Sequence, residues 1–270
     1  TDTETVSEYF YGGQDIRMKQ TTTLGHSAAA ITILIWGTTF ISTKLLLEDF
    51  SPVEILFTRF LIGFAALSIL YPRRLKTTDP RQEWLFIVAG ISGITLYYLL
   101  ENIALTQTTA SNVGIIITIA PFFTALLSRL ILKEERPGKL FYIGFIAALT
   151  GIVLISYNGS NSLEVNPTGD LLAIMAAVAW AVYSVLTKKI GVLGYNTIQT
   201  TRRIFFYGLL CMLPVLLLTD TSFHIQQYRS PINLGNMLFL GFGASALCFV
   251  TWNFAVKYLG AVKTSVYIYL

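Results

Sequence analysis

Two charged side chains, Glu101 and Arg59, lie inside long apolar segments of this 270-residue sequence. A charge within a bilayer is strongly unfavourable unless it is paired or reaches water. Glu101 could therefore bind a substrate amine or carry a coupling proton, or it could pair structurally with a lysine or lie near the interface. Arg59 cannot lose its proton. It could hold a substrate carboxylate or lock helices together, and a matching arginine, Arg203, favours the structural role.

Aromatic and amide side chains in the same segments could form the walls of a cavity. Three tryptophans lie within their segments and not at the ends, where tryptophans usually anchor a helix to the membrane interface. With nearby tyrosines and asparagines they could accept aromatic or aliphatic side chains, although ordinary helix packing is the alternative for each. The candidate cavity residues are Trp36, Arg59, Tyr97, Tyr98, Glu101, Asn102, Trp180, Tyr183, Trp252 and Asn253.

Pro121 lies near the centre of its apolar segment and predicts a helix kink, because proline removes one backbone hydrogen bond. A bent helix beside a cavity could act as a gate. The sequence has no phosphate-binding glycine-lysine loop, no cluster of metal ligands and no spacing typical of a catalytic triad. It therefore predicts neither an enzyme nor a cofactor, and no catalytic or metal-ligating residue.

The composition of the chain indicates which kind of structural element holds these residues in place. Hydrophobic residues make up 54% of the chain and charged residues 13%, whereas soluble domains have about 25% charged residues. Apolar segments near the length of a bilayer-crossing helix recur along the chain, and continuous segments of this length exclude barrel strands. The fold class is therefore an all-α polytopic membrane protein. The predicted spans are about 26–47, 51–71, 84–105, 109–131, 138–156, 169–190, 196–218, 233–256 and 261 onward.

Basic residues alternate between the links and give an orientation. Arg73 and Arg74 lie in one of the basic links, whereas the link 157–168 has no lysine or arginine and 219–232 has Arg229 alone. Because positive loops stay on the cytoplasmic side, the N-terminus is predicted to be cytoplasmic. Residues 1–25 are expected to form a disordered cytoplasmic tail.

The two halves of the chain share a repeat. Trp36, Lys44 and Arg59 recur 144 residues later as Trp180, Lys188 and Arg203, and Asn102 recurs 151 residues later as Asn253. The first repeat would span 26–156, the link 157–168 and the second repeat 169–270. Five spans per repeat predict ten helices in all, so the ninth is expected to be truncated here. An odd number of spans places the halves inverted in the membrane, which favours alternating access.

The chain resembles the drug/metabolite transporter superfamily, and within it the ten-helix EamA-type transporters. The segments that show the resemblance are WGTTFISTKLLL from Trp36, SPVEILFTRFLIG, NIALTQTTASNVGIIITIAPFFTALLSRLILKEERP from Asn102, and GFIAALTGIVLIS. The resemblance covers roughly residues 24–270. It implies export or exchange of amino acids or other small metabolites without ATP.

The sequence thus predicts a multi-pass secondary transporter of the prokaryotic plasma membrane. Its expected partners are a small-molecule substrate and the lipid bilayer, with protons as a possible coupling ion and no nucleic acid. A channel-like facilitator and a non-transporting sensor on the same fold are the alternatives. The sequence leaves the substrate and the oligomeric state open.

Overall fold

The computed structural model describes residues 2–158, 166–219, 221 and 223–270. It is a bundle of helices joined by short links, as expected for a polytopic helical membrane protein. In chain order the α-helices are α1 (Asp2–Leu46), α2 (Pro52–Leu70), α3 (Glu83–Gly90), α4 (Tyr97–Gln107), α5 (Ala110–Ile117), α6 (Ala120–Leu132), α7 (Lys139–Asn158), α8 (Pro167–Val192), α9 (Thr197–Leu218), α10 (Pro231–Leu238), α11 (Cys248–Leu259) and α12 (Ala261–Ser265).

The nine predicted spans each correspond to helical structure. Within the described residues, seven helical stretches are long and apolar enough to cross a membrane, and the shorter apolar stretch Lys139–Gly151 belongs to α7. These seven are Gln20–Leu46, Pro52–Leu70, Pro80–Gln107, Ala110–Leu132, Pro167–Val192, Thr197–Leu218 and Pro231–Leu259. The predicted link 157–168 lies largely outside the described residues.

The described part of the N-terminal tail is helical. Helix α1 begins at Asp2, so residues 2–25 continue the first membrane helix in the direction of the N-terminus. The sequence from Asp2 to Leu46 contains no proline. Helical hydrogen bonds can therefore extend backwards from the apolar part of α1 without a break.

The third span of each repeat contains a π-helical segment. The first π segment, Ile91–Leu96, separates α3 from α4, and the second, Phe239–Leu247, separates α10 from α11. Equivalent residues 151 apart lie at both distortions: Gly90 directly precedes the first π segment, and Gly241 lies within the second. A π turn inserts an extra residue and rotates the helix that follows, so these segments determine which side chains of α4 and α11 face the centre of the bundle.

The helices of the two repeats pack against each other in matched pairs. Helix α2 runs antiparallel to α9, because Arg202 near the start of α9 bonds to Tyr71 after the end of α2, while Phe64 and Phe206 contact each other further along. Helix α9 also crosses α3 at Gly90. A Cβ atom added to Gly90 would lie 2.7 Å from the backbone nitrogen of Gly208, so only glycine permits this close approach.

Two lysines bond to the ends of matched helices. Lys44 Nζ donates to the carbonyl oxygens of Leu105 and Thr108 at the end of α4. Lys188 Nζ donates to the carbonyl of Lys257 near the end of α11, 3.1 Å away. The last carbonyls of a helix lack partners and form the negative end of its dipole. The repeated lysines thus stabilise α4 and α11, two of the helices that contribute residues to the cavity described below.

Carboxylates join the repeats at two further places. Glu54 in the first turn of α2 is fully buried and accepts from the backbone nitrogen of His224 and from His224 Nδ1, both at 2.9 Å. Burial raises the pKa of neighbouring Tyr228, which donates to Glu54. Glu83 at the start of α3 forms a two-point ion pair with Arg203, at 2.6 and 2.9 Å. Because α2 and α9 are antiparallel, these contacts lie at opposite ends of the bundle.

Candidate functional site

A cavity of about 140 Å³ lies between α1, α4, α5, α8 and α11. Both repeats contribute to its wall. Six of the candidate residues line it, namely Trp36, Tyr97, Tyr98, Glu101, Trp180 and Trp252. The remaining wall consists of Ile33, Gly37, Thr39, Phe40, Gly114, Ile117, Thr118 and Ile268. The lining is therefore mostly aromatic and aliphatic, with the carboxylate of Glu101 and the hydroxyl groups of two tyrosines and two threonines.

Three tryptophans meet at this cavity. The ring centroids of Trp36 and Trp180 are 5.1 Å apart with an interplanar angle of 82°, and Trp252 lies 5.2 Å from Trp36 and 5.7 Å from Trp180. The contact of Trp36 with Trp180 is edge-to-face, an arrangement that aromatic pairs favour, and the other two pairs are tilted. Trp36 and Trp180 are equivalent residues of the two repeats. Their contact therefore places equivalent points of the two repeats against each other at the cavity.

The indole N–H groups of these tryptophans are used differently. Trp36 Nε1 donates to the carbonyl oxygen of Ala244, 2.9 Å away, in the second π segment. Trp252 is 1% exposed, and its Nε1 has no hydrogen-bond partner among the described residues. A buried donor without an acceptor typically costs about 1–3 kcal/mol. Trp252 thus retains a donor that a bound molecule or water can satisfy.

Glu101 places a carboxylate in the aromatic wall. It is 5% exposed, and its Oε1 accepts a hydrogen bond from the hydroxyl of Tyr97, 2.9 Å away and one helical turn earlier. No lysine or arginine of the described residues forms an ion pair with it. The lysine pair considered from the sequence is therefore absent from this part of the chain. The carboxylate keeps one oxygen free of protein hydrogen bonds among the same residues.

Arg59 lies beside the cavity but does not line it. The side chain is 1% exposed, its Nε donates to Ser245 Oγ at 3.0 Å, and its Cζ lies 4.4 Å from the ring centroid of Tyr98. Tyr98 thus contacts the guanidinium and also forms part of the cavity wall. Arg59 Nη2 has no partner among the described residues. Arg203, its equivalent in the second repeat, pairs with Glu83, so the repeat preserves the arginine and not its surroundings.

Asn102, Asn253 and Tyr183 also lie outside the cavity lining. Asn102 Nδ2 donates to the carbonyl of Pro52 at 3.1 Å, which joins α4 to the start of α2. Tyr183 donates to Asn253 Oδ1 at 2.7 Å, and Asn253 Nδ2 donates to Thr201 at 2.9 Å. Buried amides need such partners in an apolar surrounding. These three residues therefore connect helices within the bundle.

Pro121 follows a break in the fourth span. The helical structure is interrupted at Thr118 and Ile119, and Pro121 lies in the first turn of α6, where its missing N–H is not needed. Gly114, which precedes the break, and Thr118, which lies in it, both line the cavity. A change in the angle between α5 and α6 would therefore move part of the cavity wall.

Two glycines of the cavity wall were not predicted from the sequence. A Cβ atom added to Gly37 or Gly114 would meet no atom within 4 Å. These positions leave space open where a side chain would fill it. Gly37 directly follows Trp36 in the sequence. However, glycines in membrane helices also occur where two helices approach closely. The residue type alone therefore gives no signal that distinguishes a cavity from a packing contact.

Comparison with known proteins places this architecture among transporters. The model of the EamA-like transporter family matches residues 23–157 and 167–270. An uncharacterized transporter of Archaeoglobus fulgidus is 32% identical over 249 residues, which cover 91% of this chain and 84% of that protein. A "probable terminal-alkyne amino-acid exporter" of Streptantibioticus cattleyicolor is 24% identical over 244 residues, covering 90% and 80%. A crystal structure with 20% identity has the same fold, with a TM-score of 0.70 over 93% of this chain and 85% of its own.

Proposed function

Because this chain belongs to the EamA-like transporter family, we propose that it is a secondary transporter that exports or exchanges amino acids or related small metabolites by alternating access. We place it in the plasma membrane of a prokaryote with its N-terminus in the cytoplasm, as the basic links favour. The observation that supports this proposal most strongly is the cavity where Trp36 and Trp180 meet. A central cavity at the contact of two inverted repeats is where secondary transporters bind substrates.

The size and chemistry of the cavity favour a small amphipathic substrate. Its volume of about 140 Å³ lies below the roughly 300–1,000 Å³ of sites for drug-sized ligands. Glu101 offers a carboxylate to a substrate ammonium group, and the faces of Trp36 and Trp180 favour a cation or an apolar side chain. Trp252 Nε1 offers an unused donor to a substrate acceptor. An amino acid has all three complementary groups.

The name of one relative agrees with this substrate class. The Streptantibioticus cattleyicolor protein is named a "probable terminal-alkyne amino-acid exporter". At 24% identity the substrate of this chain need not be the same amino acid. We therefore propose the class, amino acids and related metabolites, and leave the individual compound to experiment. Glu101 is the residue through which a proton would couple to transport, since it is the carboxylate in the cavity wall.

Counterflow in proteoliposomes tests the proposal. Vesicles that contain the purified protein are loaded with one unlabelled amino acid at a time, and uptake of the same labelled amino acid is followed against protein-free vesicles. A carrier accelerates this uptake, because the loaded substrate returns the binding site to the outer face. Uptake that occurs but is not accelerated would indicate the channel-like facilitator. Absence of uptake across panels of amino acids and metabolites would favour the sensor and contradict transport.

A further inference from the structure

A second groove lies at the surface of the bundle, away from the central cavity. It measures about 580 Å³ and lies between the end of α2 and the first turns of α9. Its wall combines three arginines with aromatic side chains, namely Arg74, Arg202, Arg203, Phe64, Phe206 and Tyr207. None of these residues lines the central cavity. The groove is therefore separate from the candidate substrate site.

The positive charge of this groove is only partly neutralised by protein carboxylates. Arg203 is paired with Glu83. The guanidinium of Arg202 donates instead to the main-chain carbonyls of Tyr71 and Arg73, which are dipoles and leave its charge uncompensated. Arg74 is exposed, and no carboxylate in the described part of the chain pairs with it. Two guanidinium charges thus remain available to an anion.

The groove lies at the end of the apolar span of α2 and at the start of that of α9, and the ends of membrane spans lie close to the lipid headgroups. Helix α2 ends at Leu70, and Arg202 follows the start of α9 by five residues, or about 8 Å at 1.5 Å per residue. The apolar side of the groove faces outward, since Phe206 is 48% exposed and Ile69 on the adjacent surface of α2 is 82% exposed. An occupant of this groove therefore contacts cationic groups at one end and the acyl-chain region at the other.

We propose that this groove binds an anionic phospholipid, with its phosphate at Arg74 and Arg202 and an acyl chain along Phe64 and Phe206. Guanidinium groups bind phosphate oxygens through paired N–H donors. Basic pockets between membrane helices on the cytoplasmic side are suited to anionic headgroups. A free phosphate compound would use the arginines but leave the exposed aromatic wall without a partner, so the two parts of the groove together favour a lipid.

Lipid titrations of the purified full chain in detergent test this assignment. Native mass spectrometry measures binding of phosphatidylglycerol, of phosphatidylcholine and of soluble glycerol 3-phosphate. We expect phosphatidylglycerol to bind in preference to the zwitterionic lipid, and Arg74→Gln to weaken it about fivefold, because one basic residue near an anionic surface contributes about 1 kcal/mol. Arg136→Gln removes an exposed arginine that lies outside the groove and should leave the affinity unchanged.

A second variant tests the acyl-chain part. Phe206→Ala should weaken binding of phosphatidylglycerol but keep its preference over phosphatidylcholine, because the arginines remain. Equal binding of the two lipids by the wild-type protein would overturn the proposal. An equal loss of phosphatidylglycerol affinity in Arg74→Gln and Arg136→Gln would also overturn it, because binding would then depend on the general surface charge and not on the groove. If glycerol 3-phosphate binds as tightly as the lipid, the groove is a site for a soluble phosphate compound and the lipid assignment fails.

Discussion

Glu101 shows how a repeated fold can hold an unrepeated chemical group. Its equivalent in the second repeat is Trp252, and both line the same cavity. The cavity is therefore chemically asymmetric, with a carboxylate on α4 and an indole on α11. A site of this kind can hold a zwitterion in a defined orientation, because its ammonium and carboxylate groups meet different partners. The sequence could predict Glu101 as a candidate because a buried carboxylate in a membrane helix is unfavourable without a function or a partner.

Glu101→Gln should weaken transport more than folding. The amide keeps the hydrogen bond to Tyr97 but removes the charge that attracts a substrate amine. Charged hydrogen bonds contribute about 1.5–3 kcal/mol, so we expect the half-saturating substrate concentration to rise by roughly 10- to 100-fold in a transport assay. Glu135→Gln, at an exposed position of a link, is the matched control. Wild-type transport across the whole pH range in Glu101→Gln would refute a role in binding or coupling.

Trp36→Ala and Trp180→Ala should each raise the half-saturating substrate concentration, by about tenfold, since an aromatic contact and its buried area are lost. The loss should be larger for aromatic or long aliphatic substrates than for small polar ones. Trp84→Ala removes a tryptophan that is 68% exposed and outside the cavity, and should leave transport unchanged. Membrane abundance is measured for each variant. A loss of abundance that accounts for the whole loss of transport would assign both tryptophans to packing.

Among the helices, the sequence predicted the spans but not the π segments within two of them. Apolar length alone locates a membrane helix, because the bilayer sets a minimum number of residues. The π segments depend on tertiary packing and have no such signature. The π segments affect which residues of the following helix face the centre of the bundle. For this reason only some of the candidate residues on α4 and α11 line the cavity. Tyr97 and Glu101 line the cavity, whereas Asn102 and Asn253, which follow the same two π segments, face other helices.

Gly90→Ala should destabilise the crossing of α3 with α9. Its new Cβ would lie 2.7 Å from Gly208 N and 2.8 Å from Ile204 O, and backbone atoms cannot move aside as a flexible side chain can. We expect a loss of about 1–3 kcal/mol, as for other overpacked contacts, measured as a lower melting temperature in detergent. Gly144→Ala in α7 is the control, because its Cβ would meet no atom within 4 Å. Equal melting temperatures in the two variants would contradict the close approach.

For the whole molecule, the sequence repeat predicted two matched halves and one contact within the candidate site. Residues recurring at fixed spacing predicted two matched halves, and the contact of Trp36 with Trp180 lies where these halves meet. The roles of the repeated cations could not be deduced from their spacing. Lys44 and Lys188 bond to the carbonyl ends of α4 and α11, which their position in the repeat does not reveal. Which partner a long side chain reaches depends on the packing of helices that are distant in sequence.

If this chain works by alternating access, the cavity binds substrate and opens to each side of the membrane in turn. Gly37→Cys tests it most directly, because Gly37 lines the cavity and its added side chain has room. Cys211 and Cys248 are first replaced by alanine, and transport by this background is verified. A membrane-impermeant thiol reagent is then applied to right-side-out and to inside-out vesicles. We expect the introduced cysteine to be modified from both sides, and an amino acid that supports counterflow to slow the modification in both cases. No modification from either side, or modification that the substrate does not slow, would contradict it.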